Sequence, residues 1–179
     1  VFNNVVHDIY SQSNYFSLNQ GGGPGGGNMT MYNNTMVNAA IGCTAGGSIT
    51  AVNNHWVGIS GSAFNCSVTE SSAVYMPSAT ASSQGYTSAN DYSPTLATNS
   101  TVGAGANLTS SCTTLPALCS GTGTACSYNS TSHTVSCPGT TVNARPSGGA
   151  WDTGAYEFKT GTTQSTPPST PPSVTVLVH

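Results

Sequence analysis

An all-β solenoid is the fold class predicted for this 179-residue chain, on three observations. First, a phrase recurs with its internal spacing intact: Val1-Phe2-Asn3-Asn4-Val5-Val6, Met31-Tyr32-Asn33-Asn34-Thr35-Met36-Val37 and Ala51-Val52-Asn53-Asn54-His55-Trp56-Val57. Asn34 follows Asn4 by 30 residues and Asn54 follows Asn34 by 20, the interval of stacked supersecondary units. Second, only 4% of residues are charged, against about 25% in ordinary domains, so Ser, Thr, Asn and Gly must provide solubility. Third, the repeats hold short β-branched runs and almost no leucine, which excludes a leucine-rich repeat, while the lack of helix formers excludes a helical one.

Residues 1–68 carry the repeat. Phe2, Val5 and Ile9 lie in one strand-like run, Met29, Met31, Val37 and Ile41 in a second, and Ile49, Val52, Trp56, Val57 and Ile59 in a third. Asn tolerates the left-handed backbone of a tight turn, and amide side chains stacked in register bond along a ladder. Asn3, Asn4, Asn33, Asn34, Asn53 and Asn54 should therefore stand at the same corner of successive coils about 4.8 Å apart. That arrangement is a short parallel β-helix. Gly21 to Gly27 (GGGPGGG) lengthens the first interval. Without a following Lys-Ser/Thr it is an extruded loop and not a phosphate loop.

Residues 69–143 are less periodic and read as irregular loops with a few short strands. Six cysteines are present: Cys43, Cys66, Cys112, Cys119, Cys126 and Cys137. None forms a C-x-x-C pair, so an even count in a Ser/Thr/Asn-rich chain points to disulfides in an oxidising, extracellular or cell-surface location. The pairing preferred among about 15 alternatives is Cys43–Cys66, Cys112–Cys119 and Cys126–Cys137. Residues 159–172 form a Thr/Ser/Pro-rich linker. Residues 173–179 then read as an extension strand, with Val174, Val176 and Val178 on one face and Leu177 on the other. Such a strand needs a sheet edge: its own coil, a neighbouring molecule by strand addition, or a further domain, with the neighbour preferred. The chain opens inside a strand-like phrase, so a processed product or a missing upstream segment is expected.

The segment Arg145-Pro146-Ser147-Gly148-Gly149-Ala150-Trp151-Asp152-Thr153-Gly154-Ala155-Tyr156-Glu157-Phe158 resembles the closing motif of secreted bacterial right-handed parallel β-helix proteins. Asp91-Tyr92-Ser93-Pro94-Thr95-Leu96-Ala97 is similar to their S-P-A-I-D-A-G stretch. Thr153 stands where that family has Ile, and Ala97 where it often has Asp. The resemblance covers roughly residues 1–158 and implies a right-handed coil with its C-terminal end present. Arg145, Trp151, Asp152, Tyr156 and Glu157 are expected to act as a cap. Arg145 would pair with Asp152 or Glu157, and Trp151 and Tyr156 would cover the last coil.

Catalysis finds little support. Asp8, Glu70, Asp91, Asp152 and Glu157 are scattered, and neither a carboxylate pair nor a Ca²⁺ cluster is visible. His7, His55, His133 and His179 complete no triad or zincin pattern. No cofactor or metal site is expected. Two Lys and Arg in total argue against nucleic acid, and no apolar run is long enough for membrane insertion. Sequons at Asn28, Asn33, Asn65, Asn99, Asn107 and Asn129 offer glycosylation sites. The sequence thus favours a non-catalytic extracellular structural protein, assembling head to tail with copies of itself into a fibre. Its rival is a glycan-binding or glycan-cleaving, lyase-like domain, marked by a row of exposed aromatics beside a carboxylate pair.

Overall fold

The structure, a computed structural model, describes residues 1–7, 15–17, 28–42, 48–59, 61–64, 66–120, 127–129, 131–132, 134–136 and 143–158. The Gly-rich loop, the linker, the extension strand with Val174, Val176, Leu177 and Val178, and Cys43, Cys126 and Cys137 lie outside the described residues. Eleven strands are described: β1 (Val5–Val6), β2 (Tyr15–Ser17), β3 (Met29–Tyr32), β4 (Thr35–Val37), β5 (Ala40–Gly42), β6 (Ile49–Val52), β7 (His55–Val57), β8 (Val68–Ser71), β9 (Val74–Met76), β10 (Ser127–Asn129) and β11 (Thr134–Ser136). A single short α-helix, α1 (Ser78–Ser83), follows β9. Among the described residues the regular structure is therefore mostly strand with little helix.

Three sheets are parallel, with strand orders β1-β4-β7-β9, β3-β6-β8 and β2-β5, while β10 and β11 form an antiparallel pair. Isolated parallel bridges extend two of them, Phe2 to Tyr32 and Ile41 to Phe64. The chain visits the sheets in turn: β3, β4 and β5, then β6, β7 and Phe64, then β8 and β9. Equivalent residues lie side by side, as in Thr35–His55–Val74 and Met36–Trp56–Tyr75.

The corners explain why these residues turn. Asn3, Asn33 and Asn53 take φ of 55°, 51° and 60°, the left-handed region that Asn tolerates best among residues with a side chain. A second corner uses Asn38 and Gly58, at φ 52° and 74°. A Cβ on Gly58 would stand 2.0 Å from Asn38 Oδ1, so the stacking leaves no room for a side chain there. The fourth layer, β8 with β9, escapes the Asn-Asn pattern because Ser72 takes the corner at φ 51°. The repeat thus reaches Met76, one layer beyond the three readable from the sequence.

Alternation along each strand sends one set of side chains inward. Met31, Met36, Ile41, Ile49, Ala51, Trp56 and Phe64 fill the core, all buried. On the outer face of the β4-β7-β9 ladder, Val37, Val57 and Met76 are covered by Ala81 and Tyr86. Met29–Tyr32 and Thr35–Val37, expected as parts of one run, are separate strands in different sheets because Asn33 and Asn34 turn the chain between them.

Candidate functional site

The two asparagines of each pair have different tasks. The second one faces inward. Asn4 Nδ2 donates to Asn34 Oδ1 at 3.0 Å, Asn34 Nδ2 to Asn54 Oδ1 at 2.9 Å, and Asn54 Nδ2 to the Met31 carbonyl at 3.2 Å. Backbone N–H groups of Asn4 and Asn34 donate to the next amide oxygen. Buried amides cost stability unless satisfied, and this ladder satisfies them by repetition.

The first asparagine faces outward and holds the Arg145–Phe158 segment. Asn33 Nδ2 donates to the Asp152 carbonyl at 3.0 Å. Gly154 N–H donates to the Asn53 carbonyl at 2.8 Å, and Thr153 Oγ1 donates to the Ser72 carbonyl at 3.2 Å. At the other end, Arg145 Nη2 donates to Asn3 Oδ1 at 3.0 Å. The segment therefore crosses all four layers along the flank of the stack. The sequence suggests a cap over the last coil; the segment is instead a longitudinal strap, because its partners are the outward corner groups of every layer. Gly154 makes the close approach at φ 98°, where a Cβ would meet Thr35 Oγ1 at 2.8 Å.

Arg145 is the centre of the strap. Nη1 donates to Glu157 Oε2 at 2.9 Å, and the guanidinium also reaches the carbonyls of Asp152, Gly154 and Ala155. Trp151 lies under it, 5.2 Å from Cζ, in cation–π range. Of the two acids considered as its partner, Glu157 makes the side-chain pair. The Asp152 carboxylate accepts from the backbone N–H groups of Gly103 and Phe158 at 2.7 and 2.6 Å. Burial raises both acids. Glu157 is pushed up to about 7 by desolvation and then by the Asp152 charge, against the pull of Arg145. One guanidinium serves two buried acids, so the upward direction prevails. Tyr156 is buried, and its hydroxyl donates to Asp91 Oδ2. Asp91 Oδ1 in turn meets His7 Nε2 at 2.8 Å. His7 thus makes a side-chain contact with an acid 84 residues away in sequence.

His55 lies beneath the strap, 1% exposed, edge-on to Tyr86 at 4.9 Å. Its Nε2 has no hydrogen-bond partner among the described residues. Burial holds the imidazole down to about 3. The unfolded chain protonates this histidine below its ordinary value of about 6.5 and the folded chain does not. Stability is therefore lost as pH falls from 6.5 towards 3. The stability difference between the wild type and His55→Phe should change by about 1.4 kcal/mol per pH unit in that window, read from urea midpoints at pH 5 and 6. A pH-independent difference would show that His55 is not buried uncharged.

A third constellation sits at the end of the stack. In the fourth layer Glu70 occupies the core column Met31–Ala51–Glu70. Glu70 Oε1 accepts from Trp56 Nε1 at 2.8 Å and Oε2 from the Tyr75 hydroxyl at 2.7 Å. Tyr75 is raised well above the ordinary tyrosine range by desolvation and by its bond to Glu70. The sequence hides this site because an isolated Glu in β8 looks like an outward polar residue; only register shows it standing in a core column. Tyr75 is 37% exposed, the one exposed aromatic among the residues whose burial is described.

Cys112 and Cys119 form a disulfide closing a loop of sequence separation 7. Cys66 is also disulfide-bonded. The preferred partners Cys43 for Cys66, and Cys126 with Cys137, involve residues outside the described set. Of the sequons, Asn33 and Asn99 are buried and are closed to glycosylation. Among the described residues no group of three His, Cys, Asp or Glu is placed to hold a metal ion, and no helix is long and apolar enough to cross a membrane. Comparison with family models, curated proteins and solved structures returns no match.

Proposed function

We propose that this chain is a non-catalytic extracellular structural module, folded as a short parallel β-helix of four coils bound by a longitudinal strap. One observation carries the reading: each described carboxylate is already hydrogen-bonded within the chain, and none is held apart as an acid or base. Asp91 serves His7 and Tyr156, Glu70 serves Trp56 and Tyr75, Asp152 serves two backbone N–H groups, and Glu157 serves Arg145. A hydrolase or lyase needs an acid or base free to meet substrate. The disulfide-bonded cysteines support an oxidising location, and the low charge with a hydroxyl- and amide-rich surface suits a durable exterior protein. The test is turnover: the full chain should release no sugar from a panel of polysaccharides. Activity abolished by Asp91→Asn or Asp152→Asn with the fold intact would overturn the reading.

Head-to-tail assembly has support in the sheet orders, which end at β8 and β9 among the described residues, edges of the kind proteins normally cover. Glu70 opposes it. A copy stacked on the fourth layer would strip water from a carboxylate standing in the core column, and inward-pointing charge is one device that blunts sheet edges. Assembly through this end should therefore be weak in the wild type and strengthened by Glu70→Leu. In light scattering the wild type should hold a monomer's mass while Glu70→Leu grows with concentration. Filaments of the wild type that Glu70→Leu leaves unchanged would contradict this role for Glu70.

A further inference from the structure

We infer that the open end of the coil stack is a binding subsite for a neutral pyranose ring with equatorial hydroxyls, with Tyr75 as its platform and Glu70 as its hydroxyl acceptor. The site is independent of the scaffold role.

The platform follows from the stacking. Val6, Met36, Trp56 and Tyr75 form one inward column. Trp56 and Tyr75 lie nearly parallel, with ring centroids 6.0 Å apart and planes 24° from one another. Trp56 is fully buried and occupies one face of Tyr75. The strand order ends at β9, so the next place in the column is filled by no described strand. Tyr75 is 37% exposed, and no described strand covers its second face. The ring is also fixed: its hydroxyl donates to Glu70, whose other oxygen accepts from buried Trp56. A rigid, preorganised aromatic loses little freedom on binding.

The ligand class follows from the chemistry. The π-face carries negative electrostatic potential, and it attracts the polarised C–H face of a sugar ring whose hydroxyls all point sideways. Each Glu70 oxygen keeps lone-pair capacity beyond its single bond and accepts from such a hydroxyl, a charge-assisted contact. The same carboxylate, on a chain of net charge −3, repels uronates. The competing occupant is a second copy of the chain, whose stacking would bury the same carboxylate.

The experiment is calorimetric titration of the full chain with cellotetraose, a neutral all-equatorial β-glucan, and with tetragalacturonate as the anionic contrast. Saturable binding of cellotetraose and none of tetragalacturonate is expected. Tyr75→Ala should weaken binding at least about tenfold, Tyr75→Phe should keep it within about threefold, and Glu70→Gln should weaken it about three- to tenfold. Tyr75 is partly exposed, and unchanged circular dichroism of Tyr75→Ala confirms that the variant folds. No binding by the wild type at millimolar cellotetraose, or equal binding by Tyr75→Ala, overturns the proposal. So does self-association of the wild type that Tyr75→Ala abolishes and cellotetraose fails to compete.

Discussion

Replacing Arg145 with methionine should lower stability by about 3–5 kcal/mol, the cost of breaking a buried ion pair from one side. Methionine keeps much of the volume and the contact with Trp151, so the loss is electrostatic. Glu157 and Asp152 would remain buried without their cation, and the carbonyls of Gly154 and Ala155 would lose their donor. Adding Glu157→Gln should recover part of the loss because it removes one uncompensated acid. Urea unfolding at pH 7 measures both. A loss under 1 kcal/mol for Arg145→Met would mean that the guanidinium is not the strap's anchor. The raised Glu157 acid adds a pH signature. Its folded value near 7 exceeds its ordinary value of about 4.5. Its contribution is therefore present below pH 4.5 and lost as pH rises towards 7, opposite in sign to His55.

Asn34→Asp should cost about 3–4 kcal/mol at pH 7 despite nearly identical shape. The NH₂ group that donates to Asn54 Oδ1 becomes an oxygen facing an oxygen, and a charge enters a site that is 0% exposed. An uncompensated buried charge belongs to the small class of severely destabilising changes. Acidification should reduce the difference as the introduced carboxyl takes a proton and regains a donor. Asn28→Asp, on an exposed residue of the same chain, should stay within about 0.5 kcal/mol. Equal small effects at both positions would deny the ladder any structural weight.

Much of the layered parallel-strand architecture was legible because it is local and periodic. Asn-Asn announces a left-handed corner wherever it appears, and a constant interval announces stacking. The fourth layer was not legible, since Ser72 adopts the same backbone without the same letter. The strap's path was hidden for a different reason. Its residues were singled out, but Arg145 reaches Asn3 across 142 residues, and no periodicity encodes that contact. His7 with Asp91 is hidden in the same way. Glu70 shows a third kind of failure: a polar residue in an end layer follows the core period while looking like loop. The inward amide ladder and the outward strap contacts were equally compatible with an Asn-Asn pair, and strand register alone separates them.

The most direct test of the account is a double-mutant cycle between Asn3→Gly and Arg145→Lys, measured by urea unfolding. Glycine keeps the left-handed corner of Asn3 at φ 55°, and lysine keeps the charge, so the cycle isolates the contact between the first layer and the strap. The longitudinal strap predicts a coupling of about 0.5–3 kcal/mol between these residues. Strict additivity, as expected if the segment closed only the last coil, would contradict it.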